Sequence, residues 1–245
     1  MLKPGSTGMS AQSATMVIGN GMIATRFEEY RMQTDWIIFA SGVSNSKTAG
    51  EADYRREKAL LRSTIAAYPG RHFVYFSTCS FYDPALVSSR YVSHKKDMEH
   101  LIREQCQAFS IFRVSNLVGP SENPNTVLNF FVNHVVGNTH FDLWENATRN
   151  LLDLDDMFAI VNEILQSRLA ANQLINIASP LNYTTLEIVQ AIERHSNRKA
   201  NYSQVPKGTP FSIDTSDIAP LVRKLGLRFD DQYLPNLLRK YYGDR

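Results

Sequence analysis

The stretch Met16-Val17-Ile18-Gly19-Asn20-Gly21-Met22-Ile23-Ala24 decides the fold of this 245-residue chain. A short apolar run ends at Gly19, a second glycine follows two residues later, and residues 22–30 have a helix-like pattern. The apolar run predicts a buried strand, and the glycines predict a tight turn that leads directly into a helix. This unit is the start of an alternating strand and helix pattern.

Further apolar runs extend the pattern along the first half of the chain. Residues 36–40, 72–76 and 109–114 predict three more strands, and residues 51–68 and 91–104 predict the helices between them. Strands that alternate with helices form parallel sheets with helices on both faces, and right-handed crossovers place all their carboxyl ends at one edge. The sequence therefore predicts an α/β fold with a Rossmann-like parallel sheet and a small C-terminal α/β substrate lobe.

The chain divides into three predicted segments. Residues 1–15 are small and polar, which is typical of a disordered leader, and residues 16–120 form the Rossmann-like core. A cluster of proline and asparagine at residues 120–125 marks the place where the chain leaves the sheet. Residues 121–245 then form a mixed substrate-binding lobe with returning core elements. Its predicted elements are helices at 128–136, 185–195, 221–225 and 233–242, a strand at 174–178, and a strand followed by a helix at 151–165.

Composition excludes several classes of partner. The 26 Lys and Arg residues nearly balance 24 Asp and Glu residues, so nothing predicts binding to a nucleic-acid polymer. No apolar run has the roughly 18 residues that suggest a membrane span. Cys79 and Cys106 are too few and too far apart for a disulfide framework or a metal site, and they predict reduced thiols in a cytoplasmic protein.

The glycine turn predicts a nucleotide site. Residues Gly19 to Ala24 match the pattern Gly-x-Gly-x-x-Ala between a strand and a helix. Glycines at these positions let the backbone approach a pyrophosphate, which then lies at the helix N-terminus. The alternative interpretation is an ordinary turn from strand to helix.

Tyr91 and Lys95 form a candidate acid–base pair. Residues four apart lie on one face of a helix, with Cβ atoms roughly 5–6 Å apart. A lysine ammonium there favours the tyrosinate and lowers a pKa that is ordinarily about 10, so the phenol becomes a usable general acid or base. The alternative is a surface Tyr and Lys on an amphipathic helix.

A hydroxyl group at the end of the third predicted strand strengthens this interpretation. Thr78 follows the strand at residues 72–76, and ligands of open α/β sheets bind beyond the carboxyl ends of strands. Thr78 is therefore predicted to hydrogen-bond the substrate oxygen while Tyr91 exchanges its proton. The alternative is that Ser77 and Thr78 only cap the strand end.

With these residues in this order, the sequence resembles the extended short-chain dehydrogenase/reductases, which include nucleotide-sugar epimerases, dehydratases and ketoreductases. The resemblance runs from about Met16 almost to the C-terminus. Thr78 stands four residues before Tyr82, as in the family's strand-end motif. Residues 38–42 are similar to the family's strand that ends over the nicotinamide ribose and pyrophosphate. Residues 112–120 look like its Arg-x-x-Asn-x-x-Gly-Pro segment, and residues 149–156 resemble its Arg-Asp-x-x-x-Val-x-Asp segment.

The resemblance implies a role for each matching residue. It implies catalysis by Thr78, Tyr91 and Lys95, and substrate binding by Thr78, Asn116 and Arg149. It implies NAD or NADP as cofactor, held by residues of the strand ends and turns: Gly19, Asn20, Gly21, Met22, Ile23, Ala40, Ser41, Gly42, Lys95, Val114 and Ser115. Arg149 suits a substrate diphosphate because its guanidinium can donate two hydrogen bonds at once. The alternative for Arg149 is a surface ion pair with Glu145.

The sequence departs from the family at two places. The predicted helix after Gly21 runs directly into Asp35 and the next strand, where a full-length relative has two more strands and a helix. The Rossmann half is therefore shortened, and the residue that holds the adenosine ribose is missing; Arg26 is either a partial substitute or an exposed helix residue. Cys79 and Ser80 stand where 4,6-dehydratases carry an Asp-Glu pair, which disfavours dehydration because that reaction needs both an acid and a base.

The resemblance implies an NAD(P)-dependent nucleotide-sugar epimerase or 4-ketoreductase in which Tyr91 is the general acid/base. Its partner would be a nucleotide-diphosphate sugar, its assembly a homodimer and its setting surface-polysaccharide synthesis. Two alternatives stay open: a catalytically inactive nucleotide-sugar or NAD(P)-binding scaffold of the same fold, and a regulator that senses NAD(P)H without turnover.

Overall fold

A computed structural model describes residues 15–43, 50–169 and 171–243. In chain order the strands are β1 (Val17–Ile18), β2 (Trp36–Phe39), β3 (His72–Thr78), β4 (Ala108–Val114), β5 (Asn116–Val118), β6 (Phe141–Trp144), β7 (Thr148–Arg149), β8 (Leu151–Asp153), β9 (Gln173–Ile177), β10 (Tyr183–Thr184) and β11 (Tyr202–Val205). The helices are α1 (Met22–Arg26), α2 (Glu51–Ala67), α3 (Arg90–Gln105), α4 (Val127–Val136), α5 (Leu154–Gln166), α6 (Thr185–Ser196), α7 (Ala219–Lys224) and α8 (Tyr233–Tyr242).

Five parallel strands form the central sheet in the order β1-β2-β3-β4-β9. Their carboxyl ends share one edge, where Thr78 of β3 lies in register with Val114 of β4. The prediction of an α/β fold with a parallel sheet is therefore confirmed. The predicted helix over residues 22–30 is shorter than expected, since α1 ends at Arg26 and a 3-10 turn follows at Glu28–Tyr30.

Apolar side chains cover both faces of the sheet. Ile37, Tyr75 and Ile111 pack with α2 and α3 on one face, and Ile38 and Phe112 pack with α1 and α5 on the other. Because successive strand residues point to opposite faces, a strand with both faces covered needs apolar side chains at most of its positions. This explains the continuous apolar runs in the sequence.

The sheet ends at β1 among the residues that the structure describes. Thr15 closes this edge: its hydroxyl donates to the carbonyl of Val17 at 3.3 Å and accepts from the Val17 amide at 3.4 Å. The amide of Met16 donates to the carbonyl of Arg31 at 3.1 Å. These contacts satisfy backbone groups that a further strand would otherwise pair. The backbone at the β1 edge of the shortened sheet therefore has hydrogen-bond partners without another strand.

The second half of the chain forms a separate apolar cluster. Helices α4, α6 and α8 pack together with β6, and three short strand pairs, β5 with β8, β6 with β11 and β7 with β10, hold the connecting segments. Asp153 ties α8 to this region, since it accepts from Lys240 at 2.8 Å and from the Tyr241 hydroxyl at 2.9 Å.

Residues 1–14 of the predicted leader lie outside the described residues, and the division into segments 16–120 and 121–245 stays a prediction. Among the helices described, none has the length and apolar character needed to cross a lipid bilayer.

Candidate active site

The end of β3 carries two buried hydroxyl groups with different partners. Ser77 donates to the Glu99 carboxylate at 2.6 Å. The Thr78 hydroxyl accepts from the Ser80 amide at 3.0 Å and donates to the Ser80 hydroxyl at 2.9 Å. Thr78 thus caps the 3-10 turn that begins at Cys79, as the alternative interpretation expected. To orient a substrate oxygen, its hydroxyl would have to exchange the Ser80 hydroxyl for the ligand.

Tyr91 and Lys95 lie on one face at the start of α3. Ser89 caps this helix by accepting a hydrogen bond from the Val92 amide, which fixes the first turn where Tyr91 lies. The Lys95 ammonium is 5.9 Å from the centre of the Tyr91 ring. It also lies against the end of β2, because a Cβ atom built on Gly42 would be only 2.9 Å from Lys95 Nζ. The ammonium therefore sits between the tyrosine and a strand end.

Glu57 of α2 holds the Lys95 ammonium. Its carboxylate is buried and accepts four hydrogen bonds: from Lys95 Nζ at 2.9 Å, the Tyr75 hydroxyl at 3.1 Å, the Val43 amide at 2.9 Å and His94 Nε2 at 3.0 Å. Lys95 Nζ donates in addition to the Tyr75 hydroxyl at 3.0 Å. Lys95 is 2% exposed, so this ion pair is shielded from solvent.

The charges of this pair reinforce each other. Burial by itself would raise the pKa of Glu57, but the hydrogen bond from His94 and the charge of Lys95 outweigh it and lower the pKa to about 2. Burial by itself would lower the pKa of Lys95, but Tyr75, Tyr91 and Glu57 outweigh it and raise the pKa above its ordinary value. Both groups are therefore charged at neutral pH.

Glu57 was not among the residues predicted from the sequence. In the polar helix α2 it is one of many charged residues, yet Tyr54, Glu57, Leu61 and Thr64 all face the interior. Their spacing of three, four and three residues is that of the buried stripe of a helix. A glutamate on such a stripe is the sequence signal that would have identified Glu57 as a residue of the site, since a buried carboxylate needs partners.

The glycine turn has the geometry that requires glycine at its first position. Gly19 has φ of 127°, and a Cβ atom there would lie 2.6 Å from the carbonyl oxygen of Ala40. A Cβ atom on Gly21 would meet nothing within 4 Å, and Asn20 beside it is exposed. Ala40 and the Ser41 amide thus pass directly beside the turn, and the implied role of Ala40, Ser41 and Gly42 in binding a cofactor stays a prediction.

The helix after the turn packs against the end of β5. A Cβ atom on Gly119 would lie 2.6 Å from Met22 Sδ, so any larger residue there would force the Met22 side chain to shift. Ile23 also packs against the core around β1 and α5. Met22 and Ile23 therefore contribute side chains to packing, and their role in holding a cofactor stays a prediction.

Residues at the end of β4 include an unpaired polar atom. The hydroxyl oxygen of Ser115 is buried and has no hydrogen-bond partner among the residues described. Val114 before it is buried, and the Asn116 amide group donates to the carbonyl of Asn150 at 2.9 Å. A buried hydroxyl without a partner is costly, which fits a position that a ligand completes.

Arg149 lies beside the segment that follows the candidate catalytic threonine. Its Nη1 atom is 3.6 Å from the Asp83 carboxylate and donates to the carbonyl of Thr148 at 2.8 Å. The alternative of a surface pair with Glu145 is wrong, because Asp83 takes that place. Burial lowers the pKa of Arg149 from its ordinary value, although Asp83 acts in the opposite direction. A guanidinium in this position faces the region beyond β3.

Arg26 is committed elsewhere in the fold. Its Nε atom donates to the Asp155 carboxylate at 2.6 Å, and its guanidinium lies 3.6 Å from the centre of the Phe158 ring. It therefore binds helix α5 in this conformation, which disfavours a role in holding a phosphate.

A second buried ion pair lies close to the first. Glu99 of α3 accepts from Arg113 of β4 at 2.9 and 2.7 Å, and the Arg113 guanidinium stacks on Phe81 at 4.0 Å. The Cys79 thiol donates to the Arg113 carbonyl, and burial raises the pKa of this thiol to about 12. Cys79 is therefore a neutral, structural thiol.

Comparison with known proteins places the fold. No protein-family model and no curated protein matches the sequence. Among solved structures, UDP-glucuronic acid 4-epimerase from Bacillus cereus, in complex with UDP-glucuronic acid and NAD, has a TM-score of 0.68 at 17% identity, covering 91% of this chain and 78% of that one. RMD from Pseudomonas aeruginosa, complexed with NADPH, has a TM-score of 0.65 at 17% identity, covering 86% and 81%.

A dehydratase has the same architecture. The dTDP-glucose 4,6-dehydratase DesIV from Streptomyces venezuelae, with NAD and TYD bound, has a TM-score of 0.67 at 18% identity, covering 85% of this chain and 74% of that one. At such identities the similarity establishes the fold and does not separate epimerases from dehydratases. The chain therefore shares its fold with these solved structures.

Proposed function

We propose that this chain is an NAD(P)-dependent nucleotide-sugar epimerase or 4-ketoreductase in which Tyr91 is the general acid/base. The observation that carries the proposal is the position of the buried Lys95 ammonium, 5.9 Å from the Tyr91 ring and directly beside the end of β2. In open α/β sheets, ligands bind at this edge. Solved structures with this fold include enzymes that act on nucleotide sugars and were determined with NAD or NADPH.

The residues present fit the pyrophosphate and nicotinamide parts of a dinucleotide. The positive φ of Gly19 and its close approach to Ala40 form a tight turn before α1, and Ser115 has a buried hydroxyl without a partner among the described residues. Lys95 and the residues of the glycine turn would hold the cofactor together with residues 40–42 and Val114. When bound, the cofactor supplies the hydride acceptor or donor. Among the residues described, no strand beyond β1 offers a side chain to the adenosine ribose.

The protein's own residues would move one proton. The Tyr91 hydroxyl gives a proton to, or takes it from, the sugar oxygen at the reacting carbon. Lys95 stabilises the negative charge that develops on the phenol oxygen, because its ammonium is held nearby. Thr78 orients the sugar oxygen after releasing Ser80. An epimerase or ketoreductase needs this one proton exchange in addition to hydride transfer.

The substrate diphosphate would lie near Arg149. A guanidinium that is largely buried binds a diphosphate more strongly than an exposed one does, because water screens the charges less. Asn116 would contribute its amide group in the same region, after releasing the carbonyl of Asn150. Dehydration is disfavoured because Cys79 and Ser80 offer no carboxylate and the Cys79 thiol is neutral.

A second candidate is a binding protein of the same fold that does not turn over its ligand. The ion pair between Glu57 and Lys95 favours it, since the carboxylate offsets the positive charge that Tyr91 needs. The end of the sheet at β1, which Thr15 caps, favours the binding protein as well, because a sheet that ends there leaves the adenosine half of a dinucleotide with few contacts. A regulator that senses NAD(P)H is a variant of this candidate, and the homodimer stays a prediction.

Calorimetric titration with NAD, NADH, NADP and NADPH separates these candidates. The proposal predicts that at least one of the four binds, and that Tyr91→Phe keeps this affinity while turnover of nucleotide sugars is lost. If none binds at millimolar concentration, the oxidoreductase proposal is rejected. Binding of a nucleotide sugar alone would then support the scaffold.

A further inference from the structure

Glu57 is the one carboxylate among the described residues that contacts the Lys95 ammonium. An ammonium group removed from water without a partner is unstable, and it loses its proton or moves toward solvent. Lys95 has three N–H groups, of which one binds Glu57 and a second binds the Tyr75 hydroxyl. Its location and charge therefore depend on α2 and β3, the elements packed against α3.

We infer that Glu57 is a positioning residue of the candidate active site: its carboxylate binds the Lys95 ammonium and holds it one helical turn from Tyr91. The catalytic meaning of this role rests on the proposed function. The contact between Glu57 and Lys95 does not depend on that function, since four hydrogen bonds fix the carboxylate itself. One of them comes from the Val43 amide, so the end of β2 is fixed by the same group.

The charged and titratable groups around Lys95 come from three elements. Helix α2 contributes Glu57, strand β3 contributes Tyr75, and α3 itself contributes His94 and Tyr91. Tyr54 of α2 packs behind His94, with the centres of the two rings 4.7 Å apart.

Arg90 and Glu51 form an outer ion pair that is more than half exposed, so solvent screens it. Inside that pair, the Glu57 carboxylate and the Lys95 ammonium carry opposite charges and balance each other.

Replacing Glu57 with glutamine would remove this balance and keep the shape of the side chain. The Lys95 ammonium would then be buried without a counter-charge, so its pKa would fall below the ordinary lysine value of about 10.4. A base with a lowered folded-state pKa binds fewer protons in the folded state than in the unfolded state. The resulting instability is complete below the folded-state pKa and fades as the pH rises toward the unfolded-state value.

Urea unfolding of the ligand-free protein between about pH 6 and about pH 10 tests this inference. We expect the E57Q midpoint to lie well below the parent midpoint near neutral pH, and the gap to narrow as the pH rises. The matched control is E99Q, which removes an equally buried carboxylate from the pair with Arg113. A guanidinium does not lose its proton in this range, so the E99Q gap should stay constant.

The double variant E57Q/K95M keeps the test decisive if E57Q folds poorly. Adding K95M to the parent should lower the midpoint, because it leaves the buried Glu57 carboxylate without the lysine charge that balances it. Adding it to E57Q should raise the midpoint, because it removes the unbalanced charge. Two results would overturn the positioning role of Glu57. One is a difference in urea midpoint between E57Q and the parent that does not change with pH, as for E99Q. The other is a midpoint of the double variant below that of E57Q.

A kinetic measurement separates this inference from the proposed function. If the protein turns over a nucleotide sugar, the alkaline limb of kcat/KM should move to lower pH in E57Q and stay in place in E99Q. An unshifted limb in E57Q overturns the positioning role. If no dinucleotide binds at all, the proposed function fails, while the unfolding experiment still decides whether Glu57 holds Lys95.

Discussion

Glu57 and Lys95, which are 38 residues apart in the sequence, form a buried ion pair with 2.9 Å between Oε1 and Nζ. The pair joins α2 to α3 at the point where α3 carries Tyr91. Lys95 is therefore not a mobile surface lysine, and its ammonium has a fixed place in the fold. The electrostatic properties of the candidate site follow from both residues together, since neither charge can be removed without leaving the other one buried.

Stability in acid should depend on Glu57. The pKa of Glu57 falls from the ordinary 4.5 to about 2 in the folded protein, so its contribution to stability is complete above pH 4.5 and is lost as the pH falls through 2. Chemical unfolding of the parent and E57Q across this range should give a difference that shrinks toward low pH. A difference that is constant down to pH 2 would mean that the carboxylate is not held in its charged form.

Gly19 should tolerate substitution much less well than Gly21. A serine at Gly19 would have to adopt φ of 127° and place its Cβ atom 2.6 Å from the Ala40 carbonyl oxygen, so G19S should cost about 1–3 kcal/mol or more. G21S is the matched control, because Gly21 has φ of −79°, free space and the N-cap position of α1. Urea unfolding measures both variants, and equal losses would contradict the geometry of the turn.

Asp83 should weaken the binding of a diphosphate at Arg149. Its carboxylate lies 3.6 Å from the guanidinium and competes with any anion there. D83N should therefore bind UDP or dTDP roughly two- to fivefold more tightly, and R149M roughly tenfold or more weakly. Calorimetric titration of the three proteins provides the measurement. Identical affinities in all three would place the diphosphate elsewhere.

Asp153 should be a strong determinant of stability. It caps α5 by accepting from the Asp155 amide, and it binds Lys240 and Tyr241 of α8. D153N should cost about 2 kcal/mol or more, because one change weakens a helix cap and removes the charge of a buried carboxylate that pairs with the partly exposed Lys240. D142N is the control, since its pair with Lys207 is 3.7 Å long and exposed, and it should cost less than about 0.5 kcal/mol. Similar losses would argue against the network around Asp153.

The sequence was sufficient to predict the central sheet. Strands β2, β3 and β4 are apolar at nearly every position because helices cover both faces, and such runs are easy to recognise. Strand β3 extends two residues beyond its apolar run, to Ser77 and Thr78, because Glu99 and Ser80 satisfy their hydroxyl groups inside the protein. The pairing of Ser77 with Arg113 and of Thr78 with Val114, which are distant in the sequence, makes this extension part of the strand.

The short strands of the second half could not be predicted in the same way. Strands β6 and β11 have four residues each, and Phe141 pairs with Tyr202. Such segments are too short for a hydrophobic period to be recognised, and only their pairing makes them strands. A helical spacing of four residues was enough to predict that Tyr91 and Lys95 lie together. The spacing of α2 places Glu57 on the buried stripe, but its contact with Lys95 joins two helices and cannot be read from spacing.

The rate at which bound NAD or NADP is reduced by nucleotide sugars tests the central claim most directly. The absorbance of the reduced nicotinamide, followed in the parent and in Tyr91→Phe with a panel of UDP- and dTDP-sugars, measures that rate. We predict that at least one sugar reduces the cofactor bound to the parent. In Tyr91→Phe, the rate should fall by at least about 100-fold while the affinity for the cofactor stays unchanged. Equal rates in the two proteins, or no reduction by any sugar of the panel, would contradict the account.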